Sequence, residues 1–264
     1  MLNIPGHPDL KKIVVLNSKG GSGKSTLATN IVSMLVSHGQ SVALMDFDPQ
    51  GSAMRWLQKR DPALPEVPGI AAFEHDTSMT RSFRLRVPDP VRYLVVDTPA
   101  ALPVHELVKF TRGAHALILP VLPSDIDIHA VSRLIADLLL VAKVSRRMGR
   151  LGVVANRVRE NTLSYRQLER FLDRLSIARI GELRDSQNYV YASEHGIGIH
   201  EMPKSRVRKD LEQWTSLRDW LALRLETPLT ARDLHVPDKS VEPPANESEF
   251  SGKLVTGVPF RRRD

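Results

Sequence analysis

Short, unbroken apolar runs recur along the chain, each ending on polar or turn-forming residues. They cover residues 12–17 (Lys-Ile-Val-Val-Leu-Asn), Ser41 to Met45, Tyr93 to Val96, Ala114 to Val121 and Leu151 to Ala155. Runs of this length without polar alternation predict buried strands. Between them the period changes to that of a helix. Ser25 to Ser37 carries Leu27, Ile31, Met34 and Leu35 near one stripe, and Gly39 stops it. Ile126 to Arg147 reads as a long helix, and Leu163 to Leu175 as another with charged residues on one side. From Lys204 to Glu226, Val207, Leu211, Trp214, Leu217, Leu221 and Leu225 recur every three or four residues, the stripe of a helix packed on a core. Strand and helix in alternation predict an α/β fold: a single doubly wound, mainly parallel sheet with helices on both faces and ligands at the carboxyl ends of the strands.

Two stretches fall outside this alternation. Residues 61–90 are rich in Pro and charge, with a strand expected around Gly69 to Phe73, and read as a segment draped over a sheet edge. After Pro228 the composition shifts to Pro, Ser, Glu and Thr and neither period survives. One domain over residues 1–226 is therefore expected, followed by a disordered tail over 227–264. The length, 264 residues, suffices to bury a core without covalent staples. There is no Cys, which removes disulfides, thiolate metal sites and iron–sulfur clusters and suits a reducing, cytoplasmic setting. Residues 1–12 lack a continuous apolar segment, and Asp137 and Lys143 interrupt the stretch Leu134 to Val144, so neither export nor membrane insertion is expected.

The chemistry is concentrated where strands end. After the first run comes Asn17-Ser18-Lys19-Gly20-Gly21-Ser22-Gly23-Lys24-Ser25-Thr26, leading into a helix. Glycines let successive backbone N–H groups turn inward, and the helix N-terminus adds partial positive charge. Lys24 is placed to reach β- and γ-phosphates, and the Ser25 hydroxyl to meet Mg²⁺. This is a phosphate-binding loop, and Gly20, Gly21, Ser22, Gly23 and Thr26 complete the nucleotide-binding set. It departs from the common P-loop pattern, because Ser18 stands where the first Gly belongs and a second lysine, Lys19, opens the loop. Three carboxylates converge on it from later strand ends: Asp46 and Asp48 in Asp46-Phe47-Asp48-Pro49-Gln50-Gly51, and Asp97 in Asp97-Thr98-Pro99. Asp48 is a candidate to orient an attacking water, Asp46 to fix the hydration shell of Mg²⁺, and Asp97 to act as the Walker B acid. With Ser25 they form the expected metal set, and Lys19, Lys24 and Asp48 the catalytic one. Phosphoryl transfer needs mainly positioning and charge neutralisation, which such a set supplies.

The form Lys-Gly-Gly-x-Gly-Lys-Ser-Thr resembles the deviant Walker A motif of the ParA/MinD ATPases. Asp46 to Gly51 resembles that family's switch I, and Asp97-Thr98-Pro99 its switch II. The resemblance covers roughly residues 11–222. It implies an ATPase in which two subunits sandwich two ATP molecules, with Lys19 crossing to the partner's phosphates and Asn156, in Asn156-Arg157, reading the adenine edge. Leu183-Arg184-Asp185, Tyr189 and Gly196 look most like the McdA (carboxysome-positioning) and MipZ branches. Their implied function is to position or partition a cargo, whether carboxysome, plasmid or chromosome locus, on the nucleoid. The means would be ATP-dependent dimerisation, non-specific binding of double-stranded DNA, and hydrolysis stimulated by a ParB-like or McdB-like partner. With the loop at residue 18, no room is expected for the N-terminal helix-turn-helix of larger plasmid ParA proteins. The tail lacks the membrane-binding amphipathic helix of MinD and the Tyr-rich tail of the tyrosine-kinase relatives. A metabolic P-loop enzyme, such as a dethiobiotin-synthetase-like ligase, is the alternative from another class.

Charge bears on the DNA expectation. The net charge of +7 arises almost wholly between residues 141 and 226, where 17 basic residues face 11 acidic ones. Lys204, Arg206, Arg208 and Lys209 crowd the start of the last helix, where cations oppose the macrodipole and an external anion would relieve them. Arg179 and Arg184 extend the expected DNA-contact set, and Arg261, Arg262 and Arg263 end the tail.

Overall fold

The computed structural model describes residues 4–74, 80–230 and 233–234. Seven parallel strands form one sheet: β1 (Lys11–Val15), β2 (Val42–Asp46), β3 (Gly69–Ala71), β4 (Tyr93–Asp97), β5 (Ala116–Val121), β6 (Leu151–Val158) and β7 (Ala178–Arg184), in the spatial order β3-β2-β4-β1-β5-β6-β7. Eight α-helices among the described residues cover it: α1 (Lys24–Ser37), α2 (Ser52–Gln58), α3 (Arg81–Arg84), α4 (Val104–Thr111), α5 (Asp125–Leu140), α6 (Leu163–Arg174), α7 (Gln187–Glu194) and α8 (Lys204–Glu226).

The pleat sorts each strand's side chains between two cores. Ile13 and Val15 of β1 point to one face, against α1, α2, α7 and α8; Val14 points to the other, against α4, α5 and α6. Both faces being covered explains why the strands read as continuous apolar runs. The expected doubly wound sheet is thus the observed one, with α8 spanning the predicted residues and burying Val207, Trp214, Leu217, Leu221 and Leu225. The short strand expected near Gly69 is β3, at the sheet edge.

Three features differ from expectation. The helix after β5 stops at Leu140 rather than Arg147. Lys143 takes a left-handed φ of 55°, the amides of Val141 and Ala142 both donate to Asp137 O, and the turn tucks Ala142 out of solvent. The β7–α7 pair carries no continuous apolar run: in Arg-Ile-Gly-Glu-Leu the apolar Ile180 and Leu183 stand three residues apart and supply its buried side chains. Finally, the first residues assigned to the tail are held by the domain. Pro228 O accepts from the buried Arg150 guanidinium at 2.8 Å, Asp233 pairs with Arg150 at 3.0 Å, and Asp233 O accepts from Gly113 N at 3.0 Å. The packed chain therefore continues past residue 226. The remaining tail, with Arg261 to Arg263, lies outside the described residues.

Candidate nucleotide-binding site

Strand register brings the chemistry together. Val15 of β1 pairs with Asp97 of β4, and Asp97 with Asp46 of β2, so the loop after β1 lies beside both carboxylates at the carboxyl edge of the sheet. Asn17, buried, fixes the loop's start: its amide donates to Pro120 O at 2.6 Å and its carbonyl oxygen accepts from Lys19 N at 2.9 Å. Gly23 closes the loop with φ of 89°, and a Cβ there would lie 2.3 Å from Asn156 Nδ2, so only glycine fits. Helix α1 starts at once, with no acidic residue in its first turn and no side-chain cap on its amides. Lys24 is buried in the loop and donates to Lys19 O at 3.0 Å. Burial lowers its pKa, against the opposing pull of Asp97 and Asp48.

Asp97 is the anomaly of the site. It is fully buried, and neither carboxylate oxygen has a hydrogen-bond partner. Burial raises its pKa to about 7, with Asp46 and Asp48 adding to the rise and the Ser25 hydroxyl and Lys24 opposing it. A buried carboxylate without partners is costly and calls for a cation. Beside a hydroxyl and a phosphate cradle, this donor set fits Mg²⁺, which keeps most of its waters and needs only one or two carboxylates with substrate phosphates.

Asp46 is bonded within the fold. Its Oδ1 accepts from Asp48 N at 2.9 Å and its Oδ2 from Ala53 N and Met54 N at 3.0 and 3.3 Å, so both oxygens are occupied in anchoring the loop and the start of α2. Asp48 lines the cleft over the loop, a hollow of about 720 Å³ that Lys24, Ser25, Thr26 and Gln50 also line.

Asn156 is also bonded within the fold. Its amide donates to Ser22 O at 2.8 Å and its Oδ1 accepts from Arg157 N at 3.0 Å, so it braces the phosphate loop instead of presenting a free edge to a base. The exposed group beside it is Arg157, held at a left-handed φ of 50°, which lines both the main cleft and an adjoining hollow of about 390 Å³ bounded by Tyr189 and Ser193. Lys19 points to its own chain: its ammonium meets Asp127 Oδ2 at 2.7 Å, at the start of α5, where Ser124 also bonds that carboxylate. In the sequence Arg157 stands out only as the neighbour of Asn156, and Asp127 not at all, since it lies in no spaced motif.

The expected DNA set is divided. Lys204 and Lys209 are exposed, Arg206 lies 3.9 Å over the Tyr191 ring and bonds Asn188, and Arg208 is 3.8 Å from Glu212. Arg184 and Arg179 do not belong with them. Arg184 makes two bonds, of 2.6 and 3.1 Å, to the fully buried Asp210. Arg179 lies on the opposite sheet face, among Glu169, Asp173, Glu182 and Tyr165. Both guanidinium groups are engaged by the fold's own carboxylates.

Residues 13–199 match the family model described as the CobQ/CobB/MinD/ParA nucleotide binding domain. The chain belongs to this family. ParA/MinD proteins are ATP-binding P-loop ATPases. Among curated relatives, the maintenance of carboxysome distribution protein A of Halothiobacillus neapolitanus is 28% identical over 192 residues, covering 72% of this chain and 87% of the relative. Its namesake from Gloeobacter kilaueensis is 33% identical over 140 residues, 52% of this chain and 60% of that protein. The fold is shared with an ATP-bound McdA variant of Cyanothece (TM-score 0.56, 16% identity, 84% of this chain, 98% of that one). It is shared as well with MinD in the MinC:MinD complex of Aquifex aeolicus (TM-score 0.59, 18% identity, 83% and 97%).

Proposed function

We propose that this ParA/MinD-family protein is an ATPase that positions or partitions an intracellular cargo on the nucleoid, with a carboxysome as the first candidate and a plasmid or chromosome locus as the others. The observation that carries the ATPase reading is Asp97, a buried carboxylate with no partner beside Ser25 and Lys24. The carboxysome-distribution relatives support the choice of cargo.

In this reading the amides of Gly20 to Thr26 hold the phosphates of ATP and Lys24 neutralises charge on the β- and γ-groups. Ser25 and Asp97 would hold Mg²⁺ beside those phosphates. When bound, Mg²⁺ neutralises the phosphate charge that develops as the γ-group leaves. Asp46 keeps switch I in place, and Asp48 orients the attacking water. Two ATP-bound subunits form a homodimer in which Lys19 leaves Asp127 and turns to the partner's phosphates. That dimer binds double-stranded DNA without sequence preference, and a cargo-linked partner of ParB or McdB type stimulates hydrolysis and releases it.

Asp48→Ala tests the cycle. It is expected to retain ATP and accumulate a dimer by light scattering, with hydrolysis reduced about 100-fold or more while nucleotide affinity is kept. Wild-type protein that stays monomeric with ATP and Mg²⁺ would refute the sandwich. Fast turnover that depends on a small acceptor instead would point to ligase chemistry.

A further inference from the structure

We infer that helix α6 presents the main DNA-backbone contact of this protein, through a row formed by Arg166, Arg170 and Arg174. The inference rests on the DNA-binding part of the proposed function and gives it a surface different from the start of α8.

The three arginines are spaced four residues apart and so lie along one side of the helix, over about 12 Å of its length. All three are exposed, and among the described residues none forms an ion pair or hydrogen bond through its side chain. Their neighbours on the same helix account for this. Tyr165, Leu168 and Leu172 face the core, and Glu169 and Asp173 turn toward Arg179 of β7, at 3.8 and 4.0 Å. Arg179 thus takes up the acidic row of α6 and leaves the arginine row without a counter-charge.

The fold gives no local reason for such a row. Like charges four residues apart on a helix cost about 0.2–0.5 kcal/mol a pair. Arg166 also stands in a first turn that holds no acidic residue, where the macrodipole opposes a cation; only Arg174, in the last turn, is favoured there. On α8, by contrast, Arg206 is stacked on Tyr191 and Arg208 lies near Glu212. A polyanion relieves the α6 row: along about 12 Å a duplex presents roughly seven phosphate charges. A folded protein partner fits less well, because stable protein interfaces centre on aromatic and apolar residues. On α6 the large apolar side chain exposed to solvent is Leu163.

The test compares three double variants of the full-length protein, each titrated with ATP and Mg²⁺ into a fluorescent duplex of arbitrary sequence across a salt series. Arg166→Glu with Arg170→Glu is expected to weaken binding about 100-fold or more and to lower the log–log salt slope by about 0.9 for each phosphate no longer neutralised. ATP-induced dimerisation and basal hydrolysis should stay as in the wild type. Arg166→Gln with Arg170→Gln should fall between the wild type and the reversal, and decides the matter if the charge-reversed protein does not fold. Arg206→Glu with Lys209→Glu should weaken binding less than the α6 reversal. If the α6 variants bind DNA as the wild type does, the inference is overturned, also where partner-stimulated hydrolysis alone disappears, since the row would then serve an acidic protein. If wild-type protein fails to bind DNA even at low salt, the DNA reading itself falls and takes this surface with it.

Discussion

Lys19 and Asp127 show how much a motif residue depends on a neighbour that the motif does not contain. They meet at 2.7 Å across 108 residues of sequence, and Asp127 is 3% exposed with its Oδ1 unpartnered. Lys19→Ala therefore does more than remove a positive charge from the loop: it leaves a buried carboxylate short of its counter-ion. The variant should lose hydrolysis and also about 1 kcal/mol of stability, since Lys19 is itself partly exposed and the pair is screened. Adding Asp127→Asn should restore the melting temperature without restoring hydrolysis. Thermal denaturation and phosphate release on the same samples separate the two effects; equal melting of wild type and Lys19→Ala would rule out the stranded-charge argument. The loop and its acids were legible in the sequence because phosphate chemistry dictates residue types at fixed spacing. Asn156 was legible as a position but not in its bonding. That an amide braces Ser22 O, and that Arg157 lines the adjoining hollow, follows from three-dimensional neighbours alone.

Elements divide along a similar line. Helix α8 could be read to its ends, because a stripe of large apolar residues persists over about six turns. The five runs likewise became five strands, since a sheet buried on both faces demands unbroken apolar sequence. Strand β7 lies at the sheet edge with its apolar Ile180 and Leu183 three residues apart, neither a continuous run nor an alternation, so no pattern marked it, and the overlong α5 arose because apolar spacing continues into a turn that buries Ala142 without being helical. The join between β7 and α8 explains why Arg184 was misread as a surface cation. Burial pushes the pKa of Asp210 up, but the bonds from Arg184 and Asn188 outweigh it and hold the carboxyl below its usual value. Arg184→Ala should therefore destabilise the fold by about 2 kcal/mol by leaving that buried charge with Asn188 but without its counter-ion. Arg184→Ala with Asp210→Asn should recover much of the loss. Unchanged denaturant midpoints in the single variant would return Arg184 to the free surface cations.

At the scale of the whole molecule, two histidines impose conditions on stability. His115 and His200 are each pushed down to about 4, first by burial and then by nearby cations, with Asp233 and Glu201 respectively pulling the other way. A histidine with its folded pKa below the unfolded value of 6.5 contributes its full share above pH 6.5 and loses it as pH falls toward 4. Stability should drop by about 2 kcal/mol per histidine between roughly pH 7 and pH 5. His115→Gln should flatten that decline in a series of thermal melts; an unchanged slope would show that His115 titrates normally. His115 lies near Arg150, and Arg150 decides where the folded unit ends. Its guanidinium is 3% exposed and is met by Asp233 and Pro228 O, both beyond the end of α8. Two truncations should then behave differently. Removing residues 235–264 leaves both partners in place and should leave the melting temperature unchanged. Removing residues 228–264 leaves the buried guanidinium without them, at a cost of about 3 kcal/mol, which for a domain of this size lowers the melting temperature by roughly 6–12 °C. Restoring only Pro228 to Leu234 should recover it. If both truncations melt alike, Arg150 finds other partners and the unit closes at α8, as the sequence pattern alone implied.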